Sequence, residues 1–399
     1  MRTGASIMLK IIFFIPLDNY IHGIISRMKP KNPFLTAGYH SPDYFCDRER
    51  ETSDLISAVN NDRNVTLVAP RRMGKSGLVK NAFYHLAQQG EYRCAYVDIF
   101  GTQCLADFVK AFAAGVFTSF ETSFEKVARA ASTFLRGFRP TVTFDAFGAQ
   151  KYSFEVQPSA AEAMLAGVFD YLESLQFRTV VALDEFQQVV EYPEKGTEAM
   201  LRSRIQFLTG HQFVFSGSRQ HMMSEMFISA KRPFYHSTQM MHIGPIDRDR
   251  YFDFANRHFA HAGMVLDRDV FLSVYDRFDG ITWYVQAVMN RLFELGAEKP
   301  TEDDVNDAVE FLVAGNAYEY EAILRGCSDG STRLLKAIAR EGRVVAVTGG
   351  DFMARHGLRA ASSVSAALKS LGDADLIYRS DNGYEVYDRF FGIWLSCLP

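Results

Sequence analysis

Cysteine is scarce in this chain and shows no pairing pattern. The five among 399 residues (Cys46, Cys94, Cys104, Cys327, Cys397) are odd in number, and none stands in a C-x-x-C spacing. That argues against a disulfide framework or a zinc site and fits reduced thiols, so a cytoplasmic location is expected. The ten histidines form no pair with acids at ligand spacing, so no histidine-built metal site is expected. An excess of positive charge is also lacking. A formal net charge of -4 gives no overall basic field, so any nucleic-acid contact must come from a local patch. Long apolar runs are missing as well. The strongest, residues 11–17, is seven residues long, contains Pro16 and lacks a small-x-small cleavage site. It is too short to span a bilayer and unlike a complete signal peptide, so no membrane partner is expected. Met28-Lys-Pro-Lys-Asn-Pro-Phe34 reads as an independent start, with residues 1–27 an extension outside the native domain. There is no internal repeat and no low-complexity tract.

What is present is a large apolar fraction, 48% of the residues, enough for two or three domains with sizeable cores. Val65-Thr-Leu-Val-Ala-Pro-Arg-Arg-Met-Gly-Lys-Ser76 is an apolar run that empties into a glycine-lysine-serine turn and then a helical pattern. This is the design of a phosphate-binding loop. Backbone N–H groups and a helix N-terminus converge on an anion, a lysine reaches the outer phosphates, and a hydroxyl ligates Mg²⁺. Ala69 stands where the first glycine of that pattern is usual, and a solvated basic turn before a helix remains the alternative. Thr179-Val-Val-Ala-Leu-Asp-Glu185 is a second apolar run, ending in two acids. A buried parallel strand delivers carboxylates to the ligand-binding edge of a sheet in this way: Asp184 for the metal shell, Glu185 for the attacking water. Read alone, the two acids also suit a helix cap or a surface pair.

The pattern along the chain predicts an α/β protein whose parallel sheet carries helices on both faces. Strands are expected at 65–68, 95–100, 179–183, 212–216 and 239–243. An insertion over about 104–156 reads as two phenylalanine-rich helices and a hairpin with Gly148 between its strands. The domain over 28–245 is followed by helix after helix over 246–328, a helical lid. In residues 329–399, helices at 331–340 and 360–371 precede strands flanking Asp381-Asn-Gly383, the order of a winged helix. The aromatic tail Phe390, Phe391 and Trp394 exceeds what that small core needs and is expected to dock on the lid or the sheet domain.

Together these motifs resemble the archaeal-type P-loop ATPases of the AAA+/STAND superclass. The likeness is carried by the Phe45 to Glu51 box, Ala-Pro-Arg-Arg-Met-Gly-Lys-Ser (69–76), Leu-Asp-Glu-Phe (183–186), Ser-Gly-Ser-Arg (216–219), Pro233-Phe-Tyr235 and Asp388-Arg-Phe-Phe-Gly-Ile-Trp394. The resemblance implies an ATPase core, a helical lid and a winged helix. It also implies that ATP is held by Ala69, Pro70, Arg71, Arg72, Met73, Gly74, Lys75, Ser76 and Gly77. Ser76 and Asp184 would serve Mg²⁺, with Glu185 as catalytic base. Ser218 or Arg219 occupies the position that senses the γ-phosphate, though Arg219 reads as well as a solvent-facing loop arginine. Phe45 and Arg48 are expected over the adenine, since aromatic and guanidinium planes stack on bases; an apolar staple leading into a helix is the other reading. In Asp279-Gly-Ile-Thr-Trp-Tyr284, similar to a lid element of the family, Thr282 replaces the usual proline.

Two classes of function follow. One is an Mg-dependent ATPase working as a nucleotide-driven switch, with ATP and ADP as ligands and a second copy of the chain as a candidate source of an activating arginine. The other is a nucleotide-gated adaptor with little turnover, whose winged helix meets DNA or protein. Residues 331–399 hold nine Lys+Arg against seven Asp+Glu, and the helix expected to read a groove carries only Lys369. That balance is weak support for DNA.

Overall fold

The computed structural model describes residues 29–135, 140–144, 150–380 and 382–398. The extension expected at 1–27, the start at Met28, Gly148 and Asp381 lie outside the described residues. Two compact units emerge, one comprising Ala37–Ile246, the other Asn32–Thr36 with Asp247–Pro399.

The first unit is built on five parallel strands, β1 (Val65–Val68), β2 (Tyr92–Asp98), β5 (Arg178–Asp184), β6 (His211–Gly217) and β7 (Gln239–His242), in the spatial order β2-β5-β6-β1-β7. Helices cover both faces, which is why β1 and β6 are buried at every position and read as unbroken apolar runs. The chain leaves β1 through helix Lys75–Gln89 and crosses to β2 at the far edge, then fills the gap with β5 and β6. Strand order therefore reverses beside β1, and the carboxyl ends of β1, β5 and β6 lie next to one another there, the edge at which open α/β sheets bind ligands.

Helix α1 (Glu49–Asn60) precedes β1, and α2 (Lys75–Gln89) follows it. The second begins at Gly74, φ 86°, and stops at Gly90, φ 79°, both in the left-handed region that glycine enters without a Cβ penalty. Helices α3 (Leu105–Phe120) and α4 (Phe124–Phe134) lead into β3 (Pro140–Phe144) and β4 (Gln150–Phe154), an antiparallel hairpin apart from the main sheet. Helix α5 (Ala161–Ser174) follows. A phenylalanine-rich core joins these parts: Phe112 lies 5.5 Å from Phe169, and Phe117 stacks on Tyr171 at 4.4 Å. Helices α6 (Thr197–Ile205) and α7 (Gln220–Ile228) flank β6.

The second unit is helical from α8 (Arg248–His261) through α9 (Arg268–Arg277), α10 (Thr282–Leu295), α11 (Glu302–Gly315) and α12 (Ala317–Arg325). Then come α13 (Asp329–Glu341), α14 (Gly350–Arg355), α15 (Ala361–Asp373), the antiparallel pair β8 (Ile377–Ser380) and β9 (Gly383–Val386), and α16 (Arg389–Ser396). The order therefore holds three helices before the hairpin, one more than expected, and a fourth helix where the sequence suggested an aromatic tail. That tail does dock on helices of its own unit. Phe390 sits 5.4 Å from Phe278 and 5.0 Å from Tyr284, while Phe391 and Trp394 lie 5.0 and 5.7 Å from Tyr320. Four charges tie the same parts together. Arg343 and Arg389 each reach Asp279, at 2.6 and 2.9 Å, and each also pairs with Glu385, whose side chain is 1% exposed. Among the described residues, no helix is long and apolar enough to cross a membrane.

Candidate functional site

Residues 69–76 connect β1 to α2 in a loop whose turns fall on Arg72, φ 70°, and Gly74, φ 86°. Ala69 is buried and lies outside the left-handed region, so the missing first glycine imposes no strain there. Lys75 is 6% exposed, and its Nζ donates back to the carbonyl oxygens of Ala69 at 3.1 Å and Pro70 at 3.0 Å. The ammonium thus lies in the hollow of the loop. Burial holds its pKa below the usual lysine range, against the opposing pull of Glu185 and Asp184, and Arg71 adds to the depression.

Strand β5 carries the acids to the same edge. Asp184 is the hub of the site: its Oδ2 accepts from Ser76 Oγ at 3.0 Å and from the Tyr96 hydroxyl. Its Oδ1 accepts from Ser216 Oγ and from the Glu185 N–H at 3.1 Å. Glu185 takes φ 57°, which turns its side chain out of the strand path. Its Oε2 accepts from Gln187 Nε2 at 2.5 Å and Ser218 Oγ at 2.7 Å. Arg71 Nε in turn donates to Ser218 Oγ at 3.3 Å. Sheet register explains part of the meeting, since Asp98 at the end of β2 lies opposite Asp184. Burial raises the Asp98 pKa, as do its acidic neighbours Asp184 and Glu185. Lys80, one turn beyond Ser76 on α2, has its pKa lowered by burial and lies near Asp184 and Asp98.

The donor set suits a magnesium polyphosphate. A helix N-terminus and an ammonium face the loop hollow, and a serine hydroxyl and a carboxylate lie within one hydrogen bond of each other. Among the described residues no three His, Cys, Asp or Glu side chains form a metal cage. Mg²⁺ is commonly bound through one or two carboxylates, water and substrate phosphates, a role that Asp184 and Ser76 could serve.

Lys75, Ser76, Asp184, Glu185, Arg71 and Ser218 are thus brought together. Arg219 is not joined to them by these bonds: it ion-pairs with Glu191. Arg48 also has a different task from the stacking expected of it. Its side chain is 3% exposed, and Nη2 donates to the carbonyls of Met73 at 3.2 Å and Gly244 at 2.7 Å, while Nη1 meets Glu51 at 2.9 Å. A guanidinium so enclosed clamps the phosphate loop to the chain beyond β7. Phe45 lies over the first turn of α2, where a Cβ on Gly77 would come within 3.1 Å of its ring. Sequence reasoning passed over Tyr96, Ser216, Gln187 and Lys80. The signal for Tyr96 was its place two residues before Asp98 on one strand face, legible only once β2 is known to pair with β5.

A winged-helix family, described as "Probable winged helix domain", matches residues 318–397. No curated protein matches the sequence. Among solved structures, a Walker-type ATPase of Pyrococcus abyssi is similar over 91% of this chain and 99% of its own, with TM-score 0.63 and 18% identity. The fold is that of a P-loop ATPase. The ORC1 protein of Aeropyrum pernix, solved in complex with DNA, shares it with TM-score 0.54 and 14% identity over 92% of this chain and 97% of its own. The ORC2 protein of the same organism does so at 0.52 and 15%, over 92% and 98%.

Proposed function

We propose that the chain binds ATP with Mg²⁺ and hydrolyses it, using the turnover as a switch. The observation that carries this reading is the Lys75 ammonium buried in the loop hollow beside Ser76, Asp184 and Glu185. Lys75 and the loop N–H groups would hold the β- and γ-phosphates, and Ser76 and Asp184 would hold the metal. The metal supplies charge neutralisation on the transferred phosphoryl group. Glu185, with Oε2 pinned by Gln187 and Ser218, presents Oε1 to orient a water for in-line attack. Chemistry of this kind is mostly positioning, which suits a site whose carboxylates are held by hydroxyl and amide donors.

Two substitutions test the reading. Lys75→Ala should abolish ATP binding in a chain whose circular dichroism is unchanged; affinity within a few-fold of wild type sinks the assignment. Glu185→Gln should bind ATP normally and turn over at least ~100-fold more slowly, the scale of a positioned acid/base group. Equal turnover moves the base elsewhere. A wild-type chain that binds ATP but hardly hydrolyses it is the nucleotide-gated adaptor instead.

In this reading the winged helix meets a protein or DNA partner, and a second copy of the chain supplies any activating arginine. A salt titration separates the partners, because phosphate contacts give a steep fall of log affinity with log salt. Five free cysteines fit a reducing compartment, and we place the protein in the cytoplasm.

A further inference from the structure

We propose that Tyr96 is a positioning residue for the metal shell of the phosphate site: its hydroxyl holds the Asp184 carboxylate in the orientation a divalent cation requires. The inference rests on the ATPase reading above and goes beyond the residues that any phosphate-loop motif supplies.

Four donors converge on the Asp184 carboxylate. Each oxygen accepts two: Ser216 Oγ and the Glu185 N–H on Oδ1, Ser76 Oγ and Tyr96 Oη on Oδ2. These four do not behave alike when a cation arrives. Ser76 is the hydroxyl whose lone pair would face the metal while its O–H goes on donating to Oδ2, so it would be shared between the two. Tyr96 is then, among the described residues, the donor on Oδ2 that has no ligand duty of its own. Without it Oδ2 keeps the shared Ser76 donor alone while Oδ1 keeps its two, and the carboxylate is held less closely about its terminal torsion, which is broad for aspartate.

Tyr96 is built to stay where it is. It lies on β2 opposite Ala182, two residues before the Asp98–Asp184 pair, so its ring projects from the same face as Asp98 toward α2. There Lys80 Nζ sits over the ring, 5.0 Å from its centroid. The ring is thus fixed by a strand on one side and a cation on the other. Partners of metal ligands that act in this way are worth 10–100-fold in metal affinity.

The test measures ATP affinity by isothermal titration on the full chain, once with Mg²⁺ and once in EDTA. The ratio of the two is the gain due to the metal. Tyr96→Phe removes the hydroxyl and keeps the ring; we expect its EDTA affinity within twofold of wild type and its metal gain down by about 10-fold. In an Asp184→Asn background, the same change should leave the gain unaltered, because Tyr96 acts through that carboxylate. An undiminished gain in Tyr96→Phe overturns the proposal. So does a proportional loss in both conditions, which marks a merely structural role. Wild-type protein that binds no ATP in either condition refutes the ATPase reading itself, and that outcome is distinct from both.

Discussion

Gly217 has room for a hydrogen and little else. A Cβ there would lie 2.2 Å from Gln187 Oε1 and 2.6 Å from Met223 Sδ, so even alanine must displace the amide that pins Glu185. Gly217→Ala should cost about 1–3 kcal/mol as an overpacked core. It should also slow ATP turnover by roughly 10–100-fold through misplacement of the carboxylate, with binding little changed. Melting curves and single-turnover assays check the two parts separately, and full-speed turnover would show that Gln187 is idle. Arg48 is the second residue whose effect exceeds its reach. Arg48→Met removes the guanidinium donors from the Met73 and Gly244 carbonyls, at roughly 1.5–3 kcal/mol for each hydrogen bond lost from a charged group. Lysine should not rescue it, because one ammonium cannot reproduce the planar fork. Calorimetric unfolding of Arg48→Met and Arg48→Lys tests this. Equal stability of Arg48→Lys and wild type would mean that charge alone holds the loop.

At the scale of elements, β6 carries a titratable group into the sheet. His211 is 6% exposed, with Nδ1 2.9 Å from Thr179 Oγ1. Burial lowers its pKa below 6.5; Glu173 opposes this shift and Arg178 adds to it. The unfolded chain therefore takes up a proton near pH 6.5 while the folded chain declines it. Stability is full above that pH and falls as pH drops toward the depressed value. The melting temperature of wild type should decline more between pH 7.5 and 5.5 than that of His211→Gln, and parallel curves would contradict the assignment. The strands of the sheet were legible in the sequence because β1, β5 and β6 are short apolar runs bounded by turn residues, and burial on both faces is what produces such runs. Helix α7 was not legible. Gln220-His-Met-Met-Ser-Glu-Met-Phe-Ile228 has no clear stripe of one period, and it is set by Met223, Met226 and Phe227 meeting the core. Helix α14, six residues long, is too short to show a period at all. The site was legible where one stretch of chain holds the chemistry, as in Gly74 to Ser76, and hidden where strands meet. Tyr96 and Ser216 are assigned by their bonds to Asp184, and no spacing along the chain announces those bonds.

At the scale of the whole molecule, the second unit is held by both charge and rings. The four-charge cluster of Asp279, Glu385, Arg343 and Arg389 is enclosed most tightly at Glu385, so removing one arginine leaves a buried carboxylate half-compensated. Arg389→Met should destabilise the unit by roughly 3 kcal/mol, the low end for breaking a buried pair. Hydrogen exchange over 383–395 should then accelerate while that over 65–98 does not; unchanged protection would count against the cluster. The same unit draws in Asn32–Thr36 from the far end of the sequence. Phe34 is fully buried against Phe254, Phe259 and Phe293, and Asn32 and Asn290 exchange side-chain bonds with the opposite backbone at 2.8 and 2.7 Å. Because these partners are separated by 258 residues, a ribosome adding ~5–20 residues per second needs roughly 13–50 s between making the first and the second. During that interval Phe34 has no pocket to enter. A nascent chain stalled before residue 290 should therefore be cut by protease near residue 34, and one released at full length should not.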